Sequence, residues 1–325
     1  MRRTVLGVFL AGVLFAGCPF ALHAETLRLG LDFFPNPNHV PIYLAESSGL
    51  FEDRDLDIEI VVPANPSDPV KLAASRWLDV ALTPQINYLI ARSEGLPLVA
   101  IGALVDSNLG GLLSVAESGV QTMSDLAGRR IGYSLAPLEP ILWKTMLECA
   151  GVPFEEVEMV NVGYSTMPAL LTGSVDAIGA FRNYEPIQAE AQGFEPVFFP
   201  QERACIPQTY DIILVAHPDK VAEHAEEFSA LLSALDEAVR RTKSAPDEAL
   251  AVFFKSNPDL DDEVNRRSFE VTVPLFARGL NHGDAKVWLE MQTYLYERGL
   301  IEQRFEIDDL YTTELLPAAE RKGES

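Results

Sequence analysis

The sequence predicts an α/β protein built as two lobes, and three observations predict it. Short β-like runs alternate with amphipathic helical stretches from residue 27 to residue 216. Two polar connectors, residues 106–111 and 203–210, stand in matching places before apolar strands. A chain that leaves one α/β lobe and returns at a second point has the two-hinge layout of a bilobed protein, the alternative being two ordinary loops in a single large sheet. The length is also sufficient, because about 300 residues can bury two separate cores.

In order, strands are expected at 27–31, 56–62, 80–82, 99–105, 112–115, 130–133, 158–161, 177–180, 196–199 and 211–216. Helical spacing places helices at 40–48, 69–74, 86–94, 140–150, 167–172 and 185–192. Beyond residue 219 the character changes to longer helices, 222–242, 247–254 and 285–298. The expected division is a leader over 1–24, a discontinuous first lobe over 25–107 and 211–325, and a second lobe over 108–210.

The N-terminus reads as an export signal, with Arg2 and Arg3 followed by an uncharged run to Gly17. Cleavage after Ala24 gives a soluble periplasmic protein, and the alternative is a lipid anchor on Cys18. Loss of residues 1–24 removes Arg2 and Arg3 and takes the formal charge from -23 to -25. Such an acidic surface disfavours nucleic acid and anionic membranes as partners. Cys149 ends a helical apolar pattern (Ile141, Leu142, Thr145, Met146), where a buried free thiol is expected, although pairing with Cys205 stays open.

Enzyme signatures are wanting. The histidines are dispersed, and no nucleophile elbow, phosphate loop or dinucleotide fingerprint occurs. The turn 134–140 lacks the glycines that wrap a phosphate and carries an acid, Glu139, so a phosphorylated ligand is disfavoured. No cofactor and no metal is expected.

Two segments carry candidate binding residues. Residues 31–45 form a proline-stiffened loop after the first strand, where open α/β sheets place ligand contacts. Phe33, Phe34 and Tyr43 either pack as core or frame a flat heteroaromatic ring. Residues 179–186 deliver Asn183 and Glu185 to the carboxyl end of a buried strand. A carboxylate beside a carboxamide can read the donor–acceptor edge of an aminopyrimidine, and Glu185 can equally serve as a helix N-terminal acid.

These phrases bring a family into view. Residues 32–45 (DFFPNPNHVPIYLA), 63–68 (PANPSD), 126–133 (LAGRRIGY) and 309–314 (DLYTTE) occur in that order. Together they resemble the family uniting the fungal thiamin-pyrimidine synthase with bacterial periplasmic proteins that bind thiamin-pyrimidine precursors. The resemblance implies a type II periplasmic binding fold and the role of an ABC-importer binding protein, working as a monomer with a membrane permease. It implies ring stacking by Phe33 and polar contacts from Asn38 and Glu185. Tyr43, Gln85, Asn183 and Tyr210 are further candidates by position, and His39 is placed in or behind the loop. The synthase uses a lysine that holds pyridoxal phosphate, a histidine consumed as substrate, and a cysteine-rich run. Thr83 and Asn87 stand at the first two positions, and 203–210 holds only Cys205, so the resemblance implies a binder. The ligand expected is a formylaminopyrimidine or hydroxymethylpyrimidine. Alternatives are riboflavin, another flat cofactor precursor or an alkanesulfonate in the same architecture, an enzyme, or a sensor domain.

Overall fold

The computed structural model describes residues 26–317 except Pro66 and Tyr164, so the expected leader and anchor lie outside the described residues. Among the described residues, ten strands form two five-stranded sheets. The first holds β1 (Thr26–Gly30), β2 (Asp57–Val61), β3 (Val80–Thr83), β4 (Val99–Val105) and β10 (Ile212–Ala216), in the order β2-β1-β3-β10-β4. The second holds β5 (Gly110–Val115), β6 (Arg130–Tyr133), β7 (Glu158–Asn161), β8 (Ala177–Phe181) and β9 (Pro196–Pro200), in the order β7-β6-β8-β5-β9. Each sheet has three parallel strands and two neighbours involved in antiparallel pairing. All ten strands fall where the sequence places them, with small differences at their ends.

The helices are α1 (Val40–Ser47), α2 (Asp68–Ala74), α3 (Gln85–Ser93), α4 (Leu138–Cys149), α5 (Thr166–Leu171) and α6 (Glu185–Ala191), then α7 (Pro218–Glu223), α8 (Ala225–Ser244), α9 (Pro246–Ser256), α10 (Glu263–Thr272) and α11 (Ala285–Glu297). The expected helix at 222–242 divides at His224, whose non-helical backbone closes α7 and opens α8. The sequence reading misses α10. Its stretch EVNRRSFEVT buries only Asn265, Ser268, Phe269 and Thr272, three of them polar, so no apolar stripe marks it.

The hinge consists of the two strand-to-strand passages β4–β5 and β9–β10. Asp211 accepts hydrogen bonds from the Leu109 and Gly110 N–H groups, the latter at 3.2 Å. Asn108 donates to the Pro207 carbonyl (3.2 Å) and accepts from the Thr209 N–H (3.1 Å), tying the passages to each other. Burial pushes the Asp211 carboxyl up to about 6, with the two N–H donors opposing the rise. Gly111 is required where β5 meets β9, because a Cβ there would lie 2.3 Å from the Phe199 carbonyl oxygen.

One core lies under α1, α8 and α9. A second spans both lobes, joining α2, α3 and α11 to α4 and β6. The Thr145 and Tyr294 hydroxyls bond at 2.8 Å across this contact, and Arg298 donates to Glu148 at 3.1 Å. Cys149 does not keep the buried free thiol expected of it. It is exposed at the end of α4 and forms a disulfide with Cys205, Cα–Cα 5.9 Å, in the returning hinge passage. The apolar stripe of α4 turns toward the surface by its last residue, which brings the thiol within reach of its partner.

Candidate functional site at the lobe interface

The β1–α1 loop is rigid because its polar groups are spent on itself. The Asn36 side chain accepts from the Asn38 N–H (2.9 Å) and donates to the Phe34 carbonyl (2.9 Å). The Asn36 N–H donates to His39 Nδ1 (3.2 Å), which leaves His39 Nε2 to donate to Asp32 (2.8 Å). His39 is fully buried, so it braces the loop from behind. Phe33 and Phe34 stand edge-on at 5.3 Å and keep 42% and 57% exposure, an accessible aromatic surface. Tyr43 faces the other way, into the core, edge-on to Phe253 at 5.4 Å.

Asn38 meets the second lobe directly. The Asn183 side-chain amide donates to Asn38 Oδ1 (2.8 Å) and to Thr272 Oγ1 on α10 (2.9 Å), all three residues buried. Its own carbonyl oxygen is buried without a partner among the described residues. An orphaned buried acceptor costs about 1–3 kcal/mol, so this oxygen is available to a further donor. The Arg267–Glu190 ion pair joins α10 to α6 beside it.

Gln85, at the start of α3, fastens the returning hinge. Its Oε1 accepts from the Thr209 hydroxyl (2.9 Å) and the Tyr210 N–H (3.2 Å), while its Nε2 is buried and unpaired among the described residues. Tyr210 lies 5.8 Å from Trp288, and its hydroxyl accepts from the Asp284 N–H (3.2 Å). Burial raises the Tyr210 phenol, which stays neutral at any ordinary pH. The structure thus brings Asn38, Asn183 and Thr272 together at the seam, sets Gln85 and Tyr210 against the hinge, and uses His39 and Tyr43 as support.

In the second lobe, two carboxylates occupy equivalent places. Glu185 follows β8 and accepts from the Phe181 N–H (2.7 Å); Glu139 follows β6 and accepts from the Ser134 and Leu135 N–H groups (2.5 and 3.2 Å). Burial is the main cause that raises both carboxyls, Glu185 to about 7, and the Glu139 charge adds to the rise of Glu185. No cation is paired with either among the described residues. Glu139 was legible in the sequence as an acid in the turn after β6, but only as an argument against phosphate.

The family model described as "NMT1/THI5 like" matches residues 36–249. The chain belongs to that family. Curated relatives of this NMT1/THI5-like chain include a putative thiamine biosynthesis protein of Haemophilus influenzae, 35% identical over 90% of this chain and 92% of the relative. A formylaminopyrimidine-binding protein of Halalkalibacterium halodurans is 30% identical over 89% and 90%. A 4-amino-5-hydroxymethyl-2-methylpyrimidine phosphate synthase of Legionella pneumophila is 25% identical over 90% and 92%. Among solved structures, the periplasmic aliphatic sulphonate binding protein of Escherichia coli superposes with a TM-score of 0.70 at 18% identity, covering 88% of this chain and 91% of that one. At that identity the likeness establishes the fold, the type II periplasmic binding architecture, and not the ligand. No described helix is long and apolar enough to cross a membrane.

Proposed function

We propose that this chain is the extracytoplasmic solute-binding component of an ABC importer and captures a thiamin-pyrimidine precursor of the formylaminopyrimidine or hydroxymethylpyrimidine type. The observation that carries the reading is the polar composition of the seam. The orphaned Asn183 carbonyl and the Glu185 carboxyl offer acceptors to a ring bearing an amino group, and Phe33 in the β1–α1 loop is the aromatic that would stack on it. Closure of the lobes would exclude water from these contacts and strengthen them.

The sulfonate alternative fits less well. A sulfonate or phosphate at the β6–α4 turn would need the Ser134 and Leu135 N–H groups, and Glu139 already occupies both. Its charge would also repel the anion. The enzyme reading is weakened by Thr83, a buried hydroxyl at the end of β3 where the synthase's lysine is expected, since a hydroxyl forms no imine. Calorimetric titration of the exported form with aminopyrimidines, thiamin, riboflavin and alkanesulfonates tests the proposal. Glu185→Ala should weaken pyrimidine binding more than tenfold, because a ligand donor is left unpaired; unchanged affinity would return Glu185 to a helix-terminal role.

A further inference from the structure

Glu139 and Trp143 lie four residues apart on one face of α4. Both press on Gly179 in β8. A Cβ at that glycine would sit 2.6 Å from Trp143 Cζ2 and 3.2 Å from Glu139 Oε1, so the missing side chain is what lets the carboxylate and the indole reach this strand together. The indole is 3% exposed, and its N–H has no partner among the described residues. Buried indole N–H groups nearly always find an acceptor. Glu185 begins the helix that follows the same strand, close enough for its charge state to feel Glu139.

We propose that Glu139 and Trp143 form, with Glu185, a recognition edge that selects an amino-bearing heteroaromatic by its donor–acceptor edge: the carboxylates accept from the exocyclic amino group and the indole N–H donates to the adjacent ring nitrogen. The inference rests on the lobe interface being the ligand site and adds the residues that discriminate among ring edges there. Replacing the amino group by a carbonyl puts an acceptor against the carboxylates and turns the adjacent ring nitrogen into a donor against the indole, so both contacts become repulsive. The Ser134 and Leu135 N–H groups hold Glu139 in place before any ligand arrives, so little ordering cost falls on binding.

The test is calorimetric titration of the full exported chain with 4-amino-5-hydroxymethyl-2-methylpyrimidine and with its 4-oxo counterpart. Wild type should favour the amino compound by at least about a hundredfold, since sites that bond a polar edge discriminate strongly against a mismatched analogue. E139Q should lower affinity for the amino compound about tenfold or more while leaving that for the 4-oxo compound unchanged or higher, collapsing the ratio. E139D, which keeps the charge, should restore part of it. W143F removes the indole N–H while keeping an aromatic ring in the core and leaving Glu139 in place, so it gives a result independent of E139Q; it should cost the amino compound about fivefold or more. Equal losses for both compounds would show a merely structural role and overturn the inference. Variants within twofold of wild type would overturn it too, while leaving the pyrimidine reading intact. Failure of wild type to bind either compound would overturn both.

Discussion

Glu185→Gln offers a test in which the candidate site is read through stability, without any ligand. The carboxyl is held at about 7 against an ordinary 4.5, chiefly by burial. Each tenfold change in proton affinity is worth about 1.4 kcal/mol, so keeping Glu185 ionised in the folded state costs up to about 3 kcal/mol. The folded state binds this proton more tightly than the unfolded state. Its contribution to stability is therefore fully present below about 4.5 and is lost as the pH rises through about 7. Glutamine imitates the protonated acid and can still accept from the Phe181 N–H. Urea denaturation at pH 4.5 and pH 8 should find the variant close to wild type at the lower pH and about 2–3 kcal/mol more stable at the higher. A stability difference that is the same at both pH values would refute the argument that Glu185 is a desolvated carboxyl at the seam.

Two further outcomes follow from the same geometry. Asn183→Ala removes two buried hydrogen bonds between the lobes, each worth about 1 kcal/mol. The closed-to-open ratio should fall by roughly thirtyfold, read as a larger radius of gyration in small-angle scattering; an unchanged radius would show that the lobes are held elsewhere. Cys149→Ser with Cys205→Ser opens a link that closes a 56-residue separation and should cost about 4 kcal/mol in denaturation. Reduction of wild type should cost the same, and no loss in either experiment would remove the disulfide from the account.

The fold was legible because alternation of short apolar runs with helical stripes survives in every element from β1 to β10, and because turn residues punctuate it. The element that escaped notice, α10, buries polar residues against the second lobe. Its signature is the interface itself, which has no period a single sequence reveals. Its Thr272 consequently could not be seen as the partner of Asn183. The candidate site was half legible for the same reason. Asn38, Asn183 and Glu185 stand out as polar residues at strand ends, where an α/β sheet exposes its binding edge. Tyr43 carries the same local signal and yet packs on Phe253, since the sequence does not say which side of α1 the returning α9 will cover. The disulfide stayed one of two alternatives because a helical stripe does not show where it reaches the surface. Trp143 carries no signal of its own in the sequence, because the lack of an acceptor for its N–H is a property of the folded packing alone.

The most direct measurement is a paired titration of the exported chain with a formylaminopyrimidine and with an alkanesulfonate, under identical conditions. The account predicts saturable one-to-one binding of the pyrimidine and no detectable heat from the sulfonate, because the N–H groups an anion needs are held by Glu139. Saturable binding of the sulfonate with none of the pyrimidine would contradict it.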